Sequence, residues 1–237
     1  METAAHDRRT LAECRSAIYT VLARGVDYPT VENLDEIRQM ISVLPRDSIA
    51  DAAVPMVDAL ITAIPSDLRA LQKAHRRLFP PIESQDTPGC ETAFRGSSIF
   101  IQTQVMADVA GFYRAFGLHV GGGRRERPDH LAVELEFLGF LSMKEAVAVA
   151  RDDAEQADVC CDAEARFLAD HLGDWGPELG RRLVRFADHE FLRAVGGFLE
   201  AWIINRMAQM NVEPNGSGGI AGKTAGAGGA GGADLDA

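Results

Sequence analysis

The residues best placed to do chemistry lie in one short stretch, Glu126–His130, which follows three glycines at 121–123. Pro128 suits the first position of a helix, where its missing N–H costs nothing. Asp129 then falls in the first turn, where a carboxylate is stabilised by the free N–H groups of the helix start. His130 follows, and histidine changes its charge near neutral pH more readily than other side chains. The stretch predicts a polar site at the start of a helix.

The helix behind this stretch is apolar on nearly every face from Leu131 to Leu141, and we expect it to be buried. Glu134 lies four residues after His130 on the same face, a spacing at which two side chains can pair. The plainer interpretation is that Asp129 caps the helix and that the histidine is buried and hydrogen-bonded. The residues alone leave both interpretations open.

Motifs of the common hydrolases and metalloenzymes are missing from the sequence. The histidines are scattered, with no H-x-x-x-H pair for zinc, and there is no G-x-S-x-G elbow. Asp129 and His130 are adjacent, so on a helix they point in different directions and make an awkward catalytic pair. A near-match to a phosphate-binding loop at 216–224 fails because Ser217 stands where a glycine is required. We expect no enzymatic activity, no cofactor and no metal site.

Composition narrows the range of partners. The net charge is −11, which argues against nucleic acid and favours a cationic partner, although acidity also serves solubility. The four cysteines lack metal-ligand spacing and are expected to be reduced thiols of a cytoplasmic protein. Arg8 and Arg9 are not followed by the apolar stretch of an export signal, and no segment is long and apolar enough to span a membrane.

Nearly every periodic segment indicates a helix, and no run of alternating Val, Ile or Thr suggests a sheet. Capping residues, glycines and prolines set the boundaries. The predicted helices span residues 8–25, 33–44, 47–64, 66–78, 98–117, 128–151, 162–172, 176–187 and 190–210. We therefore expect an all-α fold of about nine helices, with a loop from 80 to 96.

Two glycine-rich segments stand outside this helical pattern. The glycines at 121–123 predict a hinge between the two halves of the bundle, compatible with a monomer or with a domain-swapped dimer. Residues 214–237 hold nine of the 23 glycines and almost no large apolar side chain, so they cannot bury enough surface to offset the entropy of ordering. We expect one helical domain over residues 1–212 and a disordered tail over 213–237.

Four blocks stand in an order and spacing that is shared with a known family. The central block is ERPDHLAVELEF at Glu126–Phe137. Upstream are RRLF at Arg76–Phe79 and CETAF at Cys90–Phe94, and downstream is FLADHLGDW at Phe167–Trp175. Together they resemble the TorD/DmsD/NarJ family of redox-enzyme maturation chaperones, and the resemblance spans roughly residues 10–208.

The resemblance implies a single TorD-like helical domain and a cytoplasmic, non-catalytic chaperone. Such a chaperone binds the apo form of a molybdoenzyme catalytic subunit, often through a twin-arginine signal peptide. It assists insertion of the molybdenum cofactor and prevents premature export. Proteins of molybdenum-cofactor biosynthesis are further expected partners.

A twin-arginine signal has a cationic start and an apolar core, so its binder needs carboxylates beside an apolar groove. Leu78 and Phe79 are candidates for the groove, although ordinary core packing explains them equally well. His171 and Trp175, four residues apart, are expected to be a hydrogen-bonded histidine and a packed aromatic. The candidate client-binding residues are Leu78, Phe79, Glu91, Glu126, Arg127, Pro128, Asp129, His130 and Glu134.

Two other functions stay open. A helical scaffold or regulatory subunit of a redox complex would keep its partner permanently, whereas a chaperone releases it. A GTP-binding switch would bind nucleotide even without residues 214–237. The sequence does not select the client enzyme or determine whether that enzyme is exported.

Overall fold

The computed structural model describes residues 2–45, 53–80, 86–95, 98–120 and 127–215. Within these ranges the chain forms ten α-helices, one π-helical turn and no strand. The helices are α1 Glu2–Val26, α2 Val31–Val43, α3 Val54–Ala63, α4 Leu68–Leu78, α5 Glu91–Arg95, α6 Ile99–Ala115, α7 Leu131–Ala150, α8 Ala154–Phe167, α9 Gly173–Phe186 and α10 Glu190–Met210. The predicted glycine hinge and the tail from residue 216 lie outside the described residues.

The predicted all-α fold is confirmed, and α10 begins and ends where the sequence indicates. Several predicted boundaries are wrong: helix α1 begins at Glu2, not at residue 8, and helix α9 begins at Gly173, not at 176. Helix α8 begins at Ala154, eight residues earlier than 162, because the Asp153 side chain accepts a hydrogen bond from the Gln156 N–H and caps it there. The short helix α5 lies inside the segment expected to be a loop.

Helix α7 is the centre of the bundle. It packs on α1 and α8, and its apolar residues Leu135, Leu138 and Leu141 have no exposed surface. Burial on more than one side requires a helix that is apolar around most of its circumference, as the sequence of α7 is. The prediction that this helix is buried is therefore correct.

A second layer is formed by α9 and α10, which approach closely at a pair of glycines. A Cβ on Gly180 would lie 2.7 Å from the carbonyl oxygen of Gly196, and a Cβ on Gly196 would lie 2.6 Å from Leu183 Cβ. Any larger residue at either position would push the two helices apart.

A π-helical turn at Leu168–Leu172 joins α8 to α9 without a break. A π turn inserts extra chain into a helix and changes which side chains face inward, and such turns are frequent at functional sites. This turn places His171 in the interior, where 2% of its surface is exposed.

Three further expectations, about membrane spans, metal sites and cysteines, can be compared with the described residues. None of the described helices combines the length and the apolar character that crossing a bilayer requires. The described His, Cys, Asp and Glu side chains form no group of three arranged to hold a metal ion. None of the four cysteines, all of which lie within the described residues, forms a disulfide bond.

Candidate functional site

The start of α7 is built differently from the sequence prediction. The helix begins at Leu131, and His130 is its N-cap, with Nδ1 accepting a hydrogen bond from the Ala132 N–H at 3.3 Å. Pro128 lies two residues before this cap, so its assignment to the first helical position is wrong. The cause is the histidine, whose ring nitrogen takes the capping role that small polar residues usually fill.

The backbone before α7 is held in place by the chain that precedes α5. The Leu131 N–H donates to the Gly89 carbonyl, and the Glu91 N–H donates to the Asp129 carbonyl, both at 2.9 Å. These two bonds fasten the turn at 127–130 to a segment almost 40 residues upstream. The turn is thus fixed by tertiary contacts, and the helix cannot extend back to Pro128.

Asp129 is fully buried and caps another helix. Its Oδ2 accepts hydrogen bonds from the Thr92 N–H at 3.1 Å and the Thr92 hydroxyl at 2.8 Å, at the start of α5. The guanidinium of Arg127 donates to both carboxylate oxygens at 2.9 Å. The prediction that Asp129 lies in the first turn of its own helix is therefore wrong, because the side chain serves α5 instead.

Glu91 is the second buried carboxylate of this site. His171 Nδ1 lies 3.0 Å from its Oε2, and Arg95 Nε lies 2.6 Å from its Oε1. The other ring nitrogen of His171 lies 3.6 Å from Asp108 on α6. Glu91 therefore connects α5 with the π-helical turn, and His171 connects that turn with α6.

Glu134 is the third buried carboxylate, and its two oxygens differ in their hydrogen bonding. Oε2 accepts a hydrogen bond from the Trp175 indole N–H at 3.2 Å, whereas Oε1 is buried without a donor among the described residues. Burial, the negative charges of Glu91 and Asp129, and a hydrogen bond with Glu91 raise the pKa of Glu134 well above its ordinary range. The fold therefore favours the protonated form of Glu134.

These groups form one connected unit, which we call the Glu91 cluster. It joins α5, the turn before α7, the π-helical turn and α9. Its members are Glu91, Thr92, Arg95, Arg127, Asp129, Glu134, His171 and Trp175. The cluster unites the three sequence blocks at 90–94, 126–137 and 167–175, which explains physically why they occur together.

Leu78 and Phe79 contribute to packing near this unit. Leu78 is 6% exposed and belongs to the core, which agrees with the plainer interpretation of its role. The Phe79 ring lies 4.9 Å from the His75 ring. A Cβ on Gly89 would lie 3.2 Å from His130 Nε2 and 4.0 Å from Phe79, so a larger residue there would require a small shift of the His130 ring. Glu126 lies outside the described residues.

An apolar groove lies beside the turn that carries Asp129. It is a cavity of about 270 Å³ between the end of α6, the chain that follows it, and α7. Its lining is Tyr113, Leu118, His119, Val120, Val133, Glu136, Phe137 and Phe140. The Tyr113 hydroxyl donates a hydrogen bond to the Pro128 carbonyl at 2.8 Å, so the groove and the Arg127–Asp129 pair are directly connected.

Sequence reasoning missed several of these residues. The groove draws on a helix face and on the chain after α6, and their meeting cannot be seen from spacing. Thr92 belongs to the block at 90–94, where only Glu91 was selected, and Arg95 follows that block directly. The expectation of a hydrogen-bonded histidine and a packed aromatic at His171 and Trp175 agrees with the structure, and both hydrogen bonds reach candidate carboxylates.

Known proteins offer several comparisons. The chain is 37% identical over 79 residues to the chlorate reductase assembly chaperone protein of Ideonella dechloratans. It is 39% identical over 79 residues to the selenate reductase assembly chaperone protein of Thauera selenatis. Each alignment covers 33% of this chain and 40% of the relative, well under half of each relative's length.

A longer alignment exists with the perchlorate reductase assembly chaperone protein of Dechloromonas aromatica (strain RCB). It is 25% identical over 215 residues and covers 85% of this chain and 92% of that protein. Among solved structures, a crystal structure titled as a redox enzyme maturation protein of Archaeoglobus fulgidus matches with a TM-score of 0.49 and 17% identity. That match covers 83% of this chain and 93% of the other.

The family model described as the nitrate reductase delta subunit matches residues 46–180. This match includes the whole of α5 and the turn before α7, as well as the π-helical turn, and it spans more than half of the chain. The family resemblance seen in the sequence blocks is thereby confirmed. The chain belongs to the nitrate reductase delta subunit family.

Proposed function

We propose that the chain is an assembly chaperone for the catalytic subunit of a molybdenum-containing oxidoreductase. Family membership carries the proposal, and three relatives named as reductase assembly chaperones support it. The chaperone holds the apo-subunit in the cytoplasm while the molybdenum cofactor is inserted and then releases it. It performs no catalysis itself.

The proposed contact with the client is an N-terminal leader that has an arginine beside an apolar stretch. The groove between α6 and α7 suits the apolar stretch, since aromatic and aliphatic side chains line most of it. Asp129 suits the arginine, because a carboxylate accepts a guanidinium through two parallel hydrogen bonds. The Tyr113–Pro128 hydrogen bond supports the proposal, since it brings the two subsites together.

The remaining candidate residues take supporting roles in this proposal. Glu91 and Glu134 have no exposed surface, so they hold α5 against α7 and keep Asp129 in place. Pro128 and His130 shape the turn between the groove and α7. Glu126 stays a proposed client contact on the grounds of the sequence alone.

The test is calorimetric titration with synthetic N-terminal peptides of molybdoenzyme catalytic subunits from the same organism. One peptide is expected to bind saturably, and more weakly as salt is added, because salt screens the attraction between charges. Asp129→Asn is expected to weaken that binding about tenfold. Asp35→Asn is the matched control, since Asp35 forms an exposed pair with Arg38 on α2 and its loss should leave binding unchanged.

Co-purification with the client distinguishes a chaperone from a permanent subunit. A tagged chain is expected to retain the apo-subunit and to lose it once the cofactor is loaded. Retention of the loaded enzyme would instead identify a scaffold or regulatory subunit. If no peptide binds and no apo-subunit co-purifies, the proposed function is wrong.

A further inference from the structure

Asp129 is a buried carboxylate whose guanidinium partner comes from its own turn. Arg127 Nε donates to Oδ1 and Nη2 donates to Oδ2, each at 2.9 Å, which is the forked geometry of a two-bonded arginine–carboxylate pair. The two partners differ sharply in burial. The Asp129 side chain is 0% exposed and that of Arg127 is 41% exposed, so Arg127 covers the side of Asp129 that leads to solvent.

The position of Asp129 does not depend on Arg127 alone. The N–H and the hydroxyl of Thr92 both hold Oδ2, and the Asp129 carbonyl accepts from the Glu91 N–H. These bonds would keep the carboxylate in place if Arg127 moved away. Arg127, in contrast, is a half-exposed side chain, although its Nη2 also donates to the Thr92 hydroxyl and contacts Met106 Sδ at 3.7 Å.

A buried carboxylate without a cation is strongly unfavourable, because nothing replaces the water it has lost. Exchange of one guanidinium for another avoids that state, since the carboxylate is paired both before and after. A lysine ammonium is a poorer substitute, because it is a point charge and cannot form two parallel bonds. The geometry thus selects an arginine as the incoming group.

We propose that Arg127 is an internal placeholder for an arginine of the client's leader, which displaces it from Asp129 when the leader binds. The inference rests on the proposed function, since it concerns the same site. The groove favours the exchange because Tyr113, which lines it, is hydrogen-bonded to the carbonyl of Pro128, between Arg127 and Asp129. An apolar segment in the groove therefore delivers its arginine beside the pair.

A placeholder competes with the ligand, so its removal must strengthen binding. Arg127→Ala leaves Asp129 unpaired in the free protein and open to an arginine of the peptide. The free variant is expected to unfold at a lower temperature than wild type and to regain stability when peptide is added. If Arg127 had a purely structural or client-contacting role, the same change would leave affinity unaltered or reduce it.

The experiment titrates wild type, Arg127→Ala and Arg38→Ala with the leader peptide that binds best and with a copy in which its arginines are glutamines. Arg127→Ala is expected to bind the arginine peptide roughly tenfold more tightly than wild type and to show no gain with the glutamine peptide. Arg38→Ala is the control, because it removes an equal charge from an exposed pair on α2. An equal gain in Arg38→Ala would assign the effect to net charge and overturn the inference.

A measurement on the wild-type protein covers the case in which Arg127→Ala does not fold. The NMR signal of the Arg127 Nε–H is expected to shift and to exchange faster with water when the arginine peptide is added, while that of the buried Arg206 stays unchanged. A signal that does not respond to saturating peptide overturns the inference. If the wild type binds but Arg127→Ala gains nothing, the inference alone fails, whereas the absence of binding by all three proteins overturns the proposed function with it.

Discussion

Helix α7 contributes a buried glutamate to each of two charged groups, and the two groups are paired in different ways. Glu134, near its start, belongs to the Glu91 cluster. Glu145, three turns later, belongs to a second group, which we call the Glu164 network. That network consists of Arg8, Arg15, Tyr19, Glu145, Glu164 and Arg206.

In the Glu164 network each of the two buried glutamates is paired with arginine, although Arg8 also pairs with the exposed Asp158 at 2.9 Å. Arg206 donates to both oxygens of Glu164, at 2.7 and 2.8 Å, and the Tyr19 hydroxyl adds a third bond at 2.9 Å. Glu145 is paired with both Arg8 and Arg15. Both oxygens of each glutamate are therefore bonded to an arginine, and the network fastens α1 to α7, α8 and α10.

In the Glu91 cluster, carboxylates outnumber arginines. Arg95 pairs with Glu91 and Arg127 with Asp129, while Glu134 has no arginine among the described residues. Burial and the two neighbouring carboxylates instead raise the pKa of this third carboxyl group. The two groups therefore differ despite similar burial. The Glu164 network pairs both of its buried glutamates with arginine, whereas the Glu91 cluster has no arginine for Glu134 among the described residues and pairs Asp129 with the half-exposed Arg127. The second kind of group is the one suited to exchange a cation with a ligand.

The largest expected effect comes from Glu164→Gln. The change removes the negative charge opposite the buried Arg206 and is expected to lower the free energy of unfolding by about 3 kcal/mol. Urea unfolding of the variant and of wild type measures the difference. A loss below about 1 kcal/mol would show that solvent reaches this network and that it is no more closed than a surface pair.

Trp175→Phe is expected to have the next largest effect, because it removes the N–H that holds Glu134. Trp202→Phe is the matched control, since the indole N–H of Trp202 is buried without a partner in the described part of the chain. We expect Trp175→Phe to be more destabilising than Trp202→Phe by about 1–2 kcal/mol. Thermal unfolding of both variants gives the comparison, and equal losses would mean that the hydrogen bond to Glu134 contributes nothing.

Glu134→Gln is expected to be mild and to depend on pH. Glutamine keeps a donor toward Glu91 and an acceptor for Trp175, so the loss at pH 5 should stay within about 1 kcal/mol. The pKa of Glu134 is raised in the fold, so the folded state binds its proton more tightly than the unfolded state does. The stability of wild type therefore falls as pH rises above the ordinary pKa of 4.5 toward the pKa in the folded state.

The variant has no such proton to lose. Its free energy of unfolding should therefore rise relative to that of wild type across this pH range, by up to about 1.4 kcal/mol for each pH unit. Urea unfolding at several pH values between 4 and 8 measures the two slopes, and parallel curves would show that Glu134 is ionised. Glu164→Gln is the informative contrast, because the same substitution there removes a charge that the fold uses.

The smallest effect is expected for Arg8→Ala. Arg8 is 37% exposed, and its partner Glu145 keeps the bond to Arg15. The loss of stability should be about 0.5 kcal/mol and should diminish with salt. Thermal unfolding at low and high salt measures it. A loss of several kcal/mol, unaffected by salt, would mean that the outer arginine is as essential as Arg206.

Local patterns in the sequence predicted most of the helices. The periodicity of α7 and α10 predicted helices, and the apolar character of α7 predicted its burial, since a helix that is apolar around most of its surface must be enclosed. The candidate site was predicted only in part. The sequence predicts Pro128 and Asp129 in the first turn of a helix. In the structure, contacts with Gly89, Glu91 and Thr92 make that helix begin at Leu131.

The short helix α5 shows why the sequence could not predict the rest of the candidate site. Its five residues are too few to be stable alone, and they are helical because Asp129 accepts from Thr92 at the helix start. The raised pKa of Glu134 has a similar origin, because it comes from burial and from two other carboxylates elsewhere in the chain. Neither property exists before the chain has folded.

The sequence by itself determined the helical class, the apolar nature of α7 and the blocks of residues that mark the family, because each depends on local spacing and residue type. Tertiary structure alone decided which of the polar residues face one another. It placed Arg127 over Asp129 and brought Glu134 to Glu91, and it opened the groove beside Tyr113. The physical reason is that charge pairing and pKa depend on distance and burial, which residues distant in sequence acquire only when the helices pack.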